Sequence, residues 1–210
     1  MSSLEIFSFE QSSPEWYEAR RGIPTASEFA SILSAGKGKA ESKTRLTYMY
    51  KLAGEILTGE AMDSPTTFHM ERGKVMEAEA RKLYSFMTDA DPQQVGFIRN
   101  GNKGASPDSL IGTDGGLEIK TKLPHLMIGL LRADELPEEH KAQVYGCMWI
   151  AEREWWDIVC YWPGLPLFTK RAYRDEAYIK TLSDAVDKFN DELAATVELI
   201  RNYGSVKEAA

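Results

Sequence analysis

The chain has 210 residues, 43% of them hydrophobic, and a formal charge of −7. That length predicts one domain over residues 1–210, or at most two small ones, with material for a sizeable core. No apolar run approaches the roughly 20 residues of a membrane span, the N-terminus has no secretory pattern, and the acidic balance argues against a module that simply coats nucleic acid. It does not argue against an enzyme that gathers carboxylates around a cation, where the bound ion reverses the local charge. A cytoplasmic protein is expected.

Along the chain, Pro24-Thr25-Ala26-Ser27-Glu28 predicts a helix start, with Thr25 as cap and Glu28 completing a capping box. This helix should run through Phe29, Ile32 and Leu33. Ala35-Gly36-Lys37-Gly38-Lys39 follows as a basic loop. A second helix is expected over about Thr44–Leu57, stopped by Gly59. A third is expected over about Thr67–Met87, with Val75, Ala80, Leu83 and Phe86 facing inward. The pattern then changes to strands at Val95–Arg99, Ser109–Gly112 and Leu117–Lys120. Asp114-Gly115 between the last two signals a hairpin. Pro137 to about Ile150 should be helical, Trp155–Trp162 a strand, and roughly Glu176–Tyr203 a long amphipathic helix. The order describes an α/β or α+β fold, a small mixed sheet flanked by helices.

Cys147 and Cys160 stand in apolar surroundings without metal-ligand spacing and are expected as buried free thiols. His69, His125 and His140 show no metal-ligand spacing either. Trp155, Trp156, Tyr161 and Trp162 suit core or interface packing better than stacking on unpaired bases.

The chemistry is concentrated in Ser106-Pro107-Asp108, nine intervening residues, and Glu118-Ile119-Lys120. Residues i and i+2 of a strand share a face, so Glu118 and Lys120 point together and Ile119 points into the core. The hairpin returns this strand beside Asp108. Two carboxylates and an ammonium then meet, a combination suited to phosphodiester cleavage. A hard divalent cation such as magnesium needs only one or two carboxylates besides phosphate oxygens. Asp108 and Glu118 supply them, with the Ile119 backbone carbonyl as an extra ligand. Lys120 can position the water that the ion acidifies and stabilise developing charge. The plainer alternative is a surface hairpin with ordinary charges, since Glu-x-Lys is common.

Pro107-Asp108 with Glu118-Ile119-Lys120 resembles the PD-(D/E)XK nuclease motif. More narrowly, the chain resembles the lambda exonuclease family, the YqaJ-type viral recombinases that serve phages as alkaline exonucleases. Four blocks carry the likeness in the family's order: Trp16 through Glu28, Arg72-Gly73-Lys74-Val75-Met76-Glu77, Ser106 through Lys120, and Ala142-Gln143-Val144. The resemblance implies Asp108 and Glu118 as metal ligands, Lys120 as catalytic lysine, and Glu77 as a further active-site acid and candidate ligand. It implies Gln143 near the attacking water, and Arg20 with Ser27 as the pocket for a terminal 5′-phosphate. A helix N-terminus at Ser27 would favour an anion, and an arginine at position 20 can grip phosphate with two hydrogen bonds. Ser109 departs from the glycine often found there, which serine can replace where the backbone is not left-handed.

The resemblance further implies a PD-(D/E)XK core and two Mg2+ ions per site, with Mn2+ able to substitute. The implied activity digests one strand of linear double-stranded DNA from its 5′ end in the host cytoplasm. It leaves a 3′ overhang for recombination by a single-strand annealing protein. It also implies a homotrimeric ring around DNA and no membrane contact. Lys37, Lys39, Lys43 and Arg45 are candidates for a channel-facing cluster. Two alternatives stay open: a restriction-type or junction-resolving endonuclease, and a noncatalytic DNA-end-binding module.

Overall fold

The computed structural model describes residues 4–36, 41–62 and 68–204. Two sheets organise them. Strands β1 (Leu4–Phe7), β3 (Phe97–Asn100) and β4 (Lys103–Ala105) form a small antiparallel sheet. Strands β2 (Pro92–Gln93), β5 (Ser109–Ile111), β6 (Gly115–Thr121), β7 (Trp155–Tyr161) and β8 (Phe168–Tyr173) form the central one in that order. Its neighbours are antiparallel except β6 and β7, which run parallel. Parallel neighbours need a crossover, supplied by α5 (Pro124–Ala133) and α6 (Glu138–Ala151).

Strand β7 is an interior strand between β6 and β8, so five of its seven residues are buried and its sequence is largely apolar on both faces. Trp156, Ile158 and Cys160 join the larger core with Val144, Cys147 and Met148 of α6. Val159 joins Leu117 and Ile119 of β6 on the other face, under Ala80 and Tyr84 of α4 (Phe68–Thr88). The sheet is thus a middle layer between α4 and α6. The last helix, α7 (Glu176–Arg201), is capped by Asp175 and buries Ile179, Leu182, Val186, Phe189, Leu193 and Val197 at helical spacing. Both cysteines are buried free thiols. No described helix is long and apolar enough to cross a membrane.

Several expected elements are present. Helix α3 (Lys43–Thr58) starts at Ser42, whose side chain accepts from the Arg45 N–H, and stops at a left-handed Gly59. Others differ. Helix α1 (Pro14–Arg20), capped by Ser13, was not expected, and the segment after Thr25 is a 3₁₀ turn, Ala26–Glu28, followed by the short α2 (Phe29–Leu33). Thr25 does not cap it; its N–H donates to the Tyr48 hydroxyl at 3.0 Å, and Glu28 instead accepts from Ser31. Thr67 lies outside the described residues. On α4, Ala80 is buried, but Val75, Leu83 and Phe86 are exposed; Met76, Ala80 and Tyr84 face the sheet. The helix carries two apolar stripes, and Tyr84 is drawn inward because its hydroxyl finds a buried partner in Asp157 at 2.5 Å.

The hairpin between β5 and β6 pairs Ile111 with Gly115, so its loop is Gly112–Asp114 and the left-handed glycine is Gly112. Gly115 lies within the strand for a different reason. A Cβ there would stand 2.1 Å from the Trp155 ring, and one on Gly116 would stand 2.2 Å from Trp156.

Candidate active site

The edge of β6 is where the chemistry gathers. Pairing with β5 ends at Ser109 opposite Leu117, which leaves Glu118–Thr121 open on that side. The Asp108 carboxylate occupies the opening: its Oδ2 accepts from the Ile119 N–H at 2.5 Å. A strand residue presents its N–H and C=O to the same side, so the Ile119 carbonyl also faces this opening.

Alternation puts Leu117 and Ile119 against α4 and leaves Glu118 and Lys120 on the opposite face, towards α6. Glu118 is only 3% exposed. Its Oε1 accepts from Lys120 Nζ at 2.7 Å and from Gln143 Nε2 at 2.6 Å. Its Oε2 is buried without a hydrogen-bond partner. A buried carboxylate oxygen so placed is costly unless something else takes the lone pair.

The electrostatics agree with that geometry. Burial pushes the Asp108 carboxyl well above the usual carboxylate range, and the Glu118 and Glu77 charges add to it. Burial works against the Lys120 ammonium, yet the charges of Glu118 and Asp108 outweigh it and hold the ammonium more firmly protonated than usual. The Cys147 thiol, pushed up by burial and then by Glu118, stays neutral beneath them. His140 is driven down to about 4 by burial and by Lys122 and Lys120, so it carries no charge near neutral pH.

Glu77 approaches from α4, on the other side of the sheet edge from Gln143. It pairs with Arg81 one turn along, and Arg81 donates to Ser109 Oγ at 3.0 Å and to the Asp108 carbonyl at 3.3 Å. Ser109 has no positive φ, so the serine fits where the family often has glycine.

These residues suit a divalent cation. Among the described residues, no three Asp, Glu, His or Cys side chains form a metal-holding group by themselves. Magnesium does not require one: two carboxylates, a main-chain carbonyl and substrate oxygens suffice. The unpartnered Glu118 oxygen and the crowded negative charge on Asp108 are what such an ion would relieve.

The second expected cluster is built around Ser106. Its Oγ accepts from Arg20 Nη1 at 3.0 Å and from Trp16 Nε1 at 2.9 Å, while the guanidinium lies over the Trp16 ring at 4.0 Å from the centroid. The residue that Arg20 grips therefore stands two positions before Asp108. Arg21, next to it in sequence, bonds Glu18 and the Gly59 carbonyl at the surface. Burial raises the Tyr48 hydroxyl to about 12. Thr25 bridges Gly104, two residues before Ser106, so the Thr25–Glu28 turn starts close to the strand end that Arg20 holds. Ser27 is exposed on that turn, its Oγ 3.3 Å from Thr25 Oγ1. The turn is 3₁₀ and three residues long, so a full helix dipole does not support an anion there.

Of the expected channel cations, Lys37 and Lys39 lie outside the described residues and Lys43 is exposed at the start of α3. Arg45 is committed to α7: it pairs with Glu192 at 2.6 Å and covers the Phe189 ring. Three participants were given no role by sequence: Ser106 and Trp16, although both stand in the motif blocks, and Arg81, whose signal was an acid four residues away on one helix.

Comparison with known proteins identifies the family and the fold. The model of the YqaJ-like viral recombinase domain matches residues 15–154. The alkaline exonuclease LHK-Exo of Laribacter hongkongensis is 32% identical with a TM-score of 0.80, over 90% of this chain and 97% of that one. The same exonuclease solved in complex with dAMP is 31% identical with a TM-score of 0.81, over the same shares. A phage-related exonuclease from Haemophilus somnus 129PT, 15% identical with a TM-score of 0.60, shares the fold over 83% of this chain and 96% of its own. Among curated protein sequences, none matches. The mixed sheet between helices is the PD-(D/E)XK-type fold of the phage exonucleases. With two thirds of its length matched by the family model, the chain belongs to the YqaJ-like viral recombinase domain family.

Proposed function

We propose that this chain is a Mg2+-dependent exonuclease, acting as one domain, that digests one strand of linear double-stranded DNA from its 5′ end. The observation that carries this is the meeting of Asp108, Glu118 and Lys120 at the open edge of β6, with one buried Glu118 oxygen lacking a partner. Asp108, Glu118 and the Ile119 carbonyl would hold one divalent ion, Mn2+ serving in place of Mg2+, and Glu77 would serve a second. Such ions polarise the scissile phosphate and acidify water.

The protein's own groups have separate tasks. Lys120 is held protonated by the two carboxylates. It serves as a fixed cation that offsets charge building on the phosphate, not as a base. Gln143 and Lys120 both donate to Glu118 Oε1, which orients the carboxylate. Gln143 can also present its amide to the attacking water. Arg20, steadied by Ser106 and Trp16, would receive a terminal 5′-phosphate, with Ser27 as a further donor. An end-anchoring pocket two residues from Asp108 is what an exonuclease needs and a restriction-type or junction-resolving enzyme does not.

Family membership supports two further parts of the proposal: a homotrimer that encloses DNA, and a 3′-ended product strand taken up by a single-strand annealing protein. The deciding experiment follows duplexes labelled at the 5′ or 3′ end, alongside closed circles, in Mg2+. Immediate loss of the 5′ label as mononucleotide, with a persistent 3′ label and intact circles, is expected. Cutting of circles would replace the proposal with an endonuclease, and no digestion would leave a DNA-end-binding module.

A further inference from the structure

Beside Asp108, away from Lys120, the surface opens into a cleft of about 400 Å3 lined by Ser8, Gln11, Glu77, Gln94, Arg81 and Asp108. Arg81 is the cation of this wall. Its side chain is only 13% exposed, and its contacts leave in two directions. Nη2 reaches Glu77, on its own helix, and also the Asp108 carbonyl at 3.3 Å, while Nε donates to Ser109 Oγ at 3.0 Å. Ser109 is fully buried, and its hydroxyl proton goes to the Asp108 carbonyl at 2.5 Å, so its lone pair is turned to the arginine.

An ordinary helical i,i+4 ion pair is exposed, touches nothing else, and contributes little. This one differs because the same guanidinium also grips the strand that carries Asp108. A planar fork with fixed donors can span both elements; a lysine ammonium on its flexible stem cannot hold the same set. A glycine at position 109 would take away the Nε acceptor, so this support depends on the serine found in this chain.

We propose that Arg81, held by Ser109, is a positioning residue that ties the Glu77 carboxylate on α4 to the Asp108 end of β5 and so fixes the spacing of the acids around the ion. Arg81 also offsets part of the negative charge that Glu77 brings towards Asp108. Without it, Glu77 is free to change rotamer and the repulsion between the acids is less opposed. The inference rests on the function proposed above, in which Glu77 serves the metal site.

The test uses the full chain and its Arg81→Ala, Arg81→Lys and Ser109→Ala variants, with Glu77→Ala as the second axis of a cycle. Mn2+ binding is read by electron paramagnetic resonance without DNA, and kcat and KM are read on a 5′-phosphorylated duplex. Arg81→Ala is expected to weaken Mn2+ binding and to lower kcat, each by about 10- to 100-fold, with KM nearly unchanged. Arg81→Lys should not rescue either value. In the Glu77→Ala background, Arg81→Ala should cost little more. Ser109→Ala should show the same pattern more weakly, about tenfold or less. If Arg81→Ala does not fold, Arg81→Lys and Ser109→Ala carry the test.

Full rescue by lysine would reduce Arg81 to a charge and overturn the proposal. So would a change confined to KM, or losses that multiply fully with those of Glu77→Ala. An inactive Asp108→Ala beside Arg81 variants that behave as wild type would sink this inference and leave the nuclease assignment standing. An active Asp108→Ala would sink the assignment itself.

Discussion

Gln143 on α6 and Lys120 on β6 donate to the same oxygen of Glu118, at 2.6 and 2.7 Å, and leave the other oxygen without a partner. The carboxylate is thereby held in one rotamer with one oxygen reserved. Gln143→Ala removes one of the two donors, so activity is expected to fall about 10- to 100-fold, mostly in kcat. Gln143→Glu sets a second carboxylate against the first and should be worse. Steady-state kinetics on 5′-phosphorylated duplex checks both; wild-type kcat in Gln143→Ala would show that Lys120 alone fixes Glu118.

Asp108 gives the site a pH signature. Burial, then Glu118 and Glu77, raise its carboxyl well above the ordinary range. A carboxyl with a folded-state pKa above its unfolded value holds its proton more tightly when folded. The stability it contributes is therefore full below the ordinary carboxylate range and is lost as pH rises through the raised value. In chelator at about pH 8, Asp108→Asn should melt higher than wild type, by about 2–4 °C for each 1 kcal/mol of repulsion removed. The gap should close at about pH 4, where both side chains are neutral. Added Mg2+ should then raise the wild type and not the variant. Thermal melts across pH, with and without the ion, decide it; identical melting of the two proteins at alkaline pH in chelator would contradict the crowding of acids.

How much of this was legible in sequence depended on how local each cause was. The alternation of Glu118, Ile119 and Lys120 and the hairpin behind it are local, and all three side chains point where expected. The stop of α3 at Gly59 is local too. The inward face of α4 was not legible, because two apolar stripes competed and the choice was made by Asp157, 73 residues beyond Tyr84. The cap expected at Thr25 failed for a similar reason: Tyr48 takes its N–H and a bridge to Gly104 holds the backbone. Strands β1, β2, β4 and β8 and helices α1 and α5 were missed; β1 and β4 are only four and three residues long, and β2 only two. Ser106 could not be assigned because its two donors, Trp16 and Arg20, lie 90 and 86 residues away.

That Ser106 cluster can be tested by the chemistry of the DNA end. A charged hydrogen bond contributes about 1.5–3 kcal/mol. Arg20→Ala is therefore expected to lose about 10- to 100-fold in kcat/KM on 5′-phosphorylated ends, with little change on 5′-hydroxyl ends. Ser106→Ala leaves the arginine its charge and its stacking on Trp16, so its loss should be smaller. Rates on the two kinds of end, compared in each variant, give the result. Equal losses on both ends would mean that Arg20 serves the fold and not the phosphate.

The last expectation concerns the ion pair beneath the sheet. Asp157 is 2% exposed in β7, where it accepts two bonds from Arg171 at 2.8 and 2.9 Å and one from Tyr84 at 2.5 Å. The pair also anchors α4, and therefore Glu77, to β7. Removing one partner of a buried pair leaves the other charge uncompensated, which costs about 3–5 kcal/mol. Arg171 is 39% exposed, so water can reach that end. Arg171→Met should therefore cost less, about 2–3 kcal/mol. Changing Asp157 to Asn in the same protein should return part of that loss, since no charge is then stranded. Urea titrations of the two single variants and the double variant measure the terms. If the double variant lost as much as the sum of the singles, the two side chains would be acting independently, and the anchoring of α4 through Asp157 would have to be given up.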